Sequence, residues 1–482
     1  MKTNKIILGA AALLLASASA FAQVGTPFIH DPSTIQVCDG KYYTFGTGGG
    51  GLISEDGWTW KTGAVRPHGG AAPDAIKIGD RYLVGYSSTG GGLGGGHAGN
   101  IMVMWTDSLD PDKVNYSEPI KVAESVVDED CDAIDISFLL DPTTGRLWVS
   151  YGTYFGNIRI VEIDPETGHR VEGNQAVDVA IDCEASALMY RNGWYYLLGT
   201  HGTCCDGVNS TYNIVVGRSR SVTGPYYDNV GRDMMAGGGK MVMNARKRTF
   251  DAGHFGRFVE EPGVEKMSFH WEADLDQGGR SVLAIRPIVW KDGWPVAGEM
   301  VQAGTYEIES VRRGYALELE VDFPRMNVAR MRRGMNPDEV IPPIANMKLE
   351  EVIGSWPTGN IDVRANDYMS RPHQKWVLTP CPELGGTLAG PYFKITIAGT
   401  DRALAATEGA DLTTVPAFTG ADEQLWRIDM LTDGTYRIMP KAIPGCSCKE
   451  TYVLTSIGDS SVSLCKFDFS SDNCKWNLKA RK

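Results

Sequence analysis

The chain has 482 residues, a formal net charge of −13 and 57 glycines. That length suggests two or more domains, and the acidic balance makes the surface a poor partner for nucleic acid. Beyond the N-terminal segment no apolar run approaches the 18 residues of a membrane helix, so no membrane span is expected.

Residues 1–22, MKTNKIILGAAALLLASASAFA, combine a basic start, an apolar middle and a small-residue end. This pattern reads as a secretory signal peptide cut before Gln23, which sends the protein to the periplasm or outside the cell. All ten cysteines follow it. In an exported chain some are expected to pair, although sequence does not give the pairing. Cys446, Cys448, Cys465 and Cys474 cluster near the C-terminus. Disulfides are favoured there over a zinc site.

Next, one unit recurs. Asp31 leads into STIQVCDGKYYTFGT, Asp74 into AIKIGDRYLVGYSS, Asp135 into ISFLLDPTTGRLWVSYGT and Glu184 into ASALMYRNGWYYLLGT. Each copy is an acid, a short apolar strand, a hairpin turn and an aromatic strand. A looser fifth copy, FHWEADLDQGGRSVLAIRPIVWKDGWP, starts near His270. The leading acids are 43, 61 and 49 residues apart, which suits four-stranded blades of a β-propeller. Equivalent positions of different blades converge at one end of the axis. Alone, each acid could simply open a turn. Four in register imply a shared site, where mutual repulsion pushes pKa values apart or recruits a cation. An acid pair with split pKa values is what glycoside hydrolysis uses. No GxSxG elbow is present, and no GxGxxG lies between a strand and a helix.

The stretches HDPSTIQVCDGKYYTFGTG, AAPDAIKIGDRYLVGYS, DAIDISFLLDPTTGRLWVSYGTYFGNIRIVEIDPETG and CEASALMYRNGWYYLLGTHGTCCDGVNSTYNIVVGRSRSVTGPYYD carry a resemblance. They resemble glycoside hydrolase family 43, and within it the endo-acting α-1,5-L-arabinanases. The likeness runs in order over residues 26–300. It implies a five-bladed propeller and hydrolysis with inversion. By the resemblance, Asp31 is the general base that activates water, Glu184 the general acid, and Asp135 the residue that tunes and orients the acid. Asp132 and Ile134 line a subsite, and Tyr154 and Phe155 offer an aromatic platform to a sugar. Cys204 and Cys205 lie on a cleft loop, either bonded to each other or paired elsewhere. Asp74 is a structural or subsite carboxylate. His270 matches an axial histidine that helps hold an ion through waters, so a calcium ion is expected. His30 is expected to orient by hydrogen bonding rather than to ligate.

The chain departs from that pattern twice. AIDI stands where the family reads Ala-Ile-Asp-Pro, and EASA where it reads Glu-Ala-Pro, so each turn loses a proline that fixes φ. The glycine-rich SSTGGGLGGGHAGN reads as a long loop beside the cleft.

From about Ala303 the style changes. Trp376, Trp426 and Trp476 end three aromatic-strand units and are spaced 50 residues apart, twice. Gln-x-Trp-like endings of this kind resemble a ricin-B-type β-trefoil, with its tryptophans in the core. The first copy holds an insertion at about 325–352, expected as a short helix or loop on the propeller. A trefoil would hold the enzyme on insoluble polysaccharide.

The expected organisation is therefore all-β: a signal peptide at 1–22, a five-bladed β-propeller at 23–302 and a β-trefoil at 303–482. The expected activity is internal cleavage of α-1,5-L-arabinan. The alternatives are an exo-acting arabinofuranosidase or β-xylosidase on the same fold, or a carbohydrate-binding protein with weakened catalysis.

Overall fold

Short runs of alternating aromatic and aliphatic residues, cut by two-residue turns, pair here into antiparallel sheets. The computed structural model describes residues 23–89, 99–125, 133–321, 348–388 and 390–481. Five successive sheets form five blades. Blade 1 contains Gln36–Cys38, Lys41–Phe45, Gly50–Ser54 and Thr59–Val65, with Val24–Gly25 added in parallel at its outer edge. Blade 2 runs from Ala71–Ile78 through Arg81–Thr89 and Gly99–Thr106 to Ile120–Glu124. Blade 3 runs from Ser137–Leu140 to Val177–Ile181, and blade 4 from Glu184–Arg191 to Lys240–Met243. Blade 5 contains Thr249–Glu261, Val264–Asp274, Arg280–Lys291 and Trp294–Ala297. The Asp39-Gly40, Asn192-Gly193 and Asp292-Gly293 turns place both residues at positive φ, as type I′ hairpins require.

The ring closes through the N-terminal segment. Leu283 N donates to Pro27 O at 2.8 Å, and Phe28 bridges Val282. Five hydrophobic clusters lie between successive blades. The one joining blades 5 and 1 holds Ile29, Leu52, Trp60, Leu283 and Ile285. The one joining blades 2 and 3 holds Leu83, Val103, Phe138 and Val149. Alternate strand residues thus meet across neighbouring sheets, as in stacked β-sheets generally.

One expectation needs correction. The fifth blade does not start near His270 but at Thr249, and His270 lies on its second strand. Its innermost strand presents His254 at the position held by Asp31 and Asp135 in blades 1 and 3 and by Ala72 and Ala185 in blades 2 and 4, and it turns at Pro262-Gly263 rather than at an Asp-Gly or Asn-Gly pair.

The C-terminal region is a second β unit built on a threefold repeat. Trp376, Trp426 and Trp476 are fully buried. Their indole N–H groups donate to the carbonyls of Leu317, Leu404 and Leu454 at 2.7, 3.0 and 2.8 Å. A short 3-10 turn precedes each tryptophan, at Pro372–Gln374, Asp422–Gln424 and Asp472–Cys474. Gln374 and Gln424 accept the amides of Met369 and Thr419. Cys474 stands in the third copy and cannot do the same. Most of the insertion expected at 325–352 falls outside the described residues. Its described end forms the helix Leu349–Gly354, and Val352 packs into the core of this second unit rather than onto the propeller.

Buried ions join the two units. Asp429 faces Lys266 at 3.2 Å and both Arg427 and Arg437 at 2.9 Å. Glu260 bonds Lys266 and Arg427, and Glu261 pairs with Arg437. A side chain at Gly263, where φ is 85°, would strike the Phe469 ring. Cys446 bonds Cys448, while Cys465 and Cys474 remain thiols. Among the described residues no helix is long and apolar enough to cross a membrane.

Candidate active site

The innermost strands share a device at their entrances. Asp31, Ala72, Asp135, Ala185 and His254 all take positive φ, between 43° and 61°. For residues other than glycine this backbone is strained, and such strain collects at functional sites. The ladder also slips between Ala71 and Asp74, between Glu184 and Ala187, and between Gly253 and Gly256. A bulge re-aims the side chain at the end of a strand. Here the kinks turn residues of four blades toward the axis.

Asp31 lies at the centre. Its Oδ2 accepts from Thr47 Oγ1 at 2.5 Å and faces His30 Nδ1 at 2.9 Å. Its Oδ1 faces His254 Nδ1 at 3.5 Å. Its amide donates to His270 Nδ1 at 3.2 Å. Burial alone would raise its pKa. The hydrogen bonds and charges of His254 and His30 outweigh burial and hold the carboxyl well below the usual range. These surroundings favour the ionised form of Asp31.

Glu184 is the opposite case. It is buried at the entrance of blade 4, and Tyr212 donates to its Oε1. Burial, then the negative charges of Asp135, Asp31 and Glu272, push its pKa up to about 10. It is protonated at neutral pH. Asp135 lies between them: its Oδ2 accepts the Ala185 amide at 3.1 Å, so it grips the backbone next to Glu184. Burial raises Asp135 to about 7, with His254 pulling it down and Asp31 pushing it up. The three carboxyls thus take three different protonation behaviours in one place.

Ile136 and Ser186 stand at the two positions where the family pattern has proline. Ile136 is buried and fills the space above Gly85, where a Cβ would lie 2.5 Å from its Cδ1. Ser186 is buried and donates to Ser150 Oγ at 3.0 Å.

The remaining expected residues separate. Tyr154 faces the acids: burial and then the charges of Glu184 and Asp135 raise its phenol. Phe155 is 58 % exposed, with its ring 4.4 Å from that of Tyr154, so the pair presents an apolar surface beside the acids. Ile134 is half-buried, and its carbonyl accepts the Gly152 amide. Asp132 and most of the glycine-rich loop lie outside the described residues. Cys204 and Cys205 are bonded to each other, on a loop whose Cys205 amide donates to Glu272 Oε2 at 2.9 Å. Asp74 is a clamp rather than a sugar contact. Its two oxygens accept the amides of Thr34 and Phe138 at 2.9 and 3.0 Å, tying blade 1 to blade 3.

His270 lies where the ion is expected. Both its ring nitrogens are bonded within the chain, Nδ1 to the Asp31 amide and Nε2 to Glu272 Oε1 at 2.9 Å. His30, Asp31 and His270 do bring ligand atoms within 4.8 Å of one another. Yet calcium takes six to eight oxygens, and this set offers two imidazoles and oxygens already committed to hydrogen bonds. His30 supplies a positive charge at that place itself. Burial opposes its charge, but hydrogen bonds to Asp31 and Glu272 outweigh burial and push its pKa up to about 10. These side chains alone do not make a direct calcium cage; an ion held through waters at His270 stays an expectation, and no step is assigned to one.

Four residues of the site escape a reading of motifs alone: Thr47, Tyr212, His254 and Glu272. His254 follows a strained Asp251 in DAGHFG, and Glu272 lies two positions after His270, on the same strand face. Next to His30, a cavity of about 400 Å³ opens between blades 5 and 1, lined by Phe28, Ile29, Thr47, Gly51 and Ser281.

Comparison with known proteins agrees with this geometry. The family model for glycosyl hydrolases family 43 matches residues 24–295. An extracellular endo-α-(1→5)-L-arabinanase of Bacillus subtilis (strain 168) is 27% identical over 318 residues, covering 59% of this chain and 94% of its own. An extracellular exo-α-(1→5)-L-arabinofuranosidase of Cellvibrio japonicus (strain Ueda107) is 30% identical over 330 residues, covering 61% and 92%. The crystal structure of an exo-1,5-α-L-arabinanase from a bovine ruminal metagenomic library superposes with a TM-score of 0.51 at 29% identity, covering 57% of this chain and 97% of that one. The matched span coincides with the five blades and contains every acid gathered at the axis, so the chain belongs to glycosyl hydrolases family 43.

Proposed function

We propose that this protein is an exported inverting glycosidase that cuts α-1,5-linked L-arabinan internally. Asp31 is its general base, Glu184 its general acid and Asp135 the residue that orients and tunes the acid. One observation carries the proposal: in a single cluster Asp31 is held ionised and Glu184 is held protonated. Glycoside hydrolysis needs such a pair, and in its inverting form the anion takes a proton from water while the acid gives one to the leaving oxygen. Water attacks the anomeric carbon as Asp31 accepts its proton. The glycosidic C–O bond breaks as Glu184 protonates the departing oxygen. The charge of Asp135 adds to the burial that raises the Glu184 pKa, and its bond to the Ala185 amide grips the backbone next to Glu184. Tyr154 and Phe155 offer the C–H face of a pentose an apolar platform.

The relatives named as arabinanases and arabinofuranosidases support the substrate class, and they include both endo- and exo-acting enzymes. We read the cleft as endo-acting, in line with the endo-α-(1→5)-L-arabinanase that the chain is similar to. The C-terminal unit, divided from the propeller near residue 302, we read as a ricin-B-like β-trefoil, on the strength of its three equivalent tryptophan bonds. Its buried ionic seam with the propeller supports a fixed rather than a tethered placement. Calcium has no part in the proposal.

Product size over time on linear debranched arabinan tests it. A fast fall in viscosity with a ladder of oligosaccharides is expected. Arabinose alone would assign exo action, and no product from arabinan, xylan or aryl glycosides would leave a binding protein.

A further inference from the structure

Glu272 is one of the most fully engaged carboxylates near the axis. Its side chain is 2 % exposed. Oε1 faces His30 Nε2 at 3.0 Å and His270 Nε2 at 2.9 Å. Oε2 accepts the Cys205 amide at 2.9 Å and the Ser210 hydroxyl at 3.2 Å. A carboxylate has about four acceptor positions, and all four are used here. The two histidines each pass the contact on to Asp31. His30 reaches its carboxylate through Nδ1 at 2.9 Å, and His270 accepts its backbone amide at 3.2 Å. The two rings lie 4.4 Å apart. Asp31 has a strained backbone, with φ at 54°, so its aim depends on what holds it.

Resting on the reading of Asp31 as general base, the geometry points to Glu272 as its positioning residue: through His30 and His270 it fixes both the carboxylate and the backbone of Asp31, and it locks the loop of the Cys204–Cys205 disulfide to the same point. Glu272 touches no reacting atom; it acts through the two imidazoles. Only a carboxylate serves, because a glutamine would present an N–H pair to two of the four donors.

The test is steady-state kinetics on a linear α-1,5-linked arabino-oligosaccharide, using the full chain. Glu272→Gln is expected to lower kcat by about 10- to 100-fold, the scale of a misplaced catalytic group, with KM changed by less than about threefold. His30→Gln is expected to do the same. The double variant should lose little beyond the worse single one, because both break one chain of contacts. Multiplying losses, or a kcat within twofold of wild type in Glu272→Gln, would overturn the inference. Should Glu272→Gln fail to fold, the partly exposed His30 keeps the test open, and an unchanged kcat in His30→Gln would overturn it. Asp31→Ala separates the two claims. An inactive Asp31→Ala beside a normal Glu272→Gln removes only the inference; an active Asp31→Ala removes the catalytic reading and the inference with it.

Discussion

Replacing Glu184 with alanine is expected to lower kcat on arabinan by about 10²- to 10⁴-fold, the usual share of a general acid, while the fold stays intact. The loss should depend on the leaving group. An aryl arabinofuranoside whose phenol leaves readily needs little protonation, so the variant should keep far more of its rate on that substrate than on arabinan. Equal losses on both would mean that Glu184 is not the acid. Asp31→Ala should be slow on both, because water still has to be activated. The pH profile follows from the same arrangement. With Asp31 held well below the usual carboxylate range and Glu184 at about 10, kcat/KM should fall in strong acid as Asp31 takes a proton. It should fall again on the alkaline side as Glu184 loses one. Asp135→Asn removes a negative neighbour of Glu184, so its alkaline limb should move to lower pH. A limb that stays put would show that the charge of Asp135 does not help to raise the acid's pKa.

Asp429→Ala should produce the largest loss of stability. The carboxylate is fully buried between Lys266, Arg427 and Arg437, so its removal leaves three cations with only Glu260 and Glu261 to answer them. Breaking a buried ion cluster in this way costs about 3–5 kcal/mol. Scanning calorimetry at pH 7 should show the melting point fall by on the order of 10 °C. A fall below about one degree would show that the seam contributes nothing. The sign of the pH dependence is fixed. Burial opposes the Asp429 charge, but Arg427, Lys266 and Arg437 hold its folded pKa far below the unfolded value of about 3.9. Its contribution is therefore complete above that unfolded value and is lost as pH falls toward the folded one.

Much of this was legible from the sequence because the chain repeats. Asp31 and Asp135 hold one strained position of the repeat, but Glu184 stands one residue before that position in blade 4 and Asp74 two residues after it in blade 2, so the repeat located the acids while their expected exact register did not hold. The tryptophans of the C-terminal unit were legible for the same reason. What stayed hidden depends on contacts between distant segments. His254 holds the leading position of blade 5, but it is not an acid and its hairpin lacks the usual turn pair. Glu272 reads as one more acid on a strand until the fold brings His30, 242 positions away, onto its Oε1. Asp74 leads its copy as Asp31 does, yet its oxygens point sideways to amides of blades 1 and 3 and not to the axis. Asp429 sits in an ordinary strand, WRIDM, and acquires its role only when the second unit docks.

The central claim is that Asp31 and Glu184 act from opposite sides of the bond, with water entering on Asp31. The configuration of the first sugar released tests this most directly. Proton NMR of an α-1,5-linked arabino-oligosaccharide, recorded in the first minutes before mutarotation, should show the new reducing end as the β anomer. Appearance of the α anomer first would mean retention through a covalent intermediate, and the assignment of Asp31 as a base would be wrong.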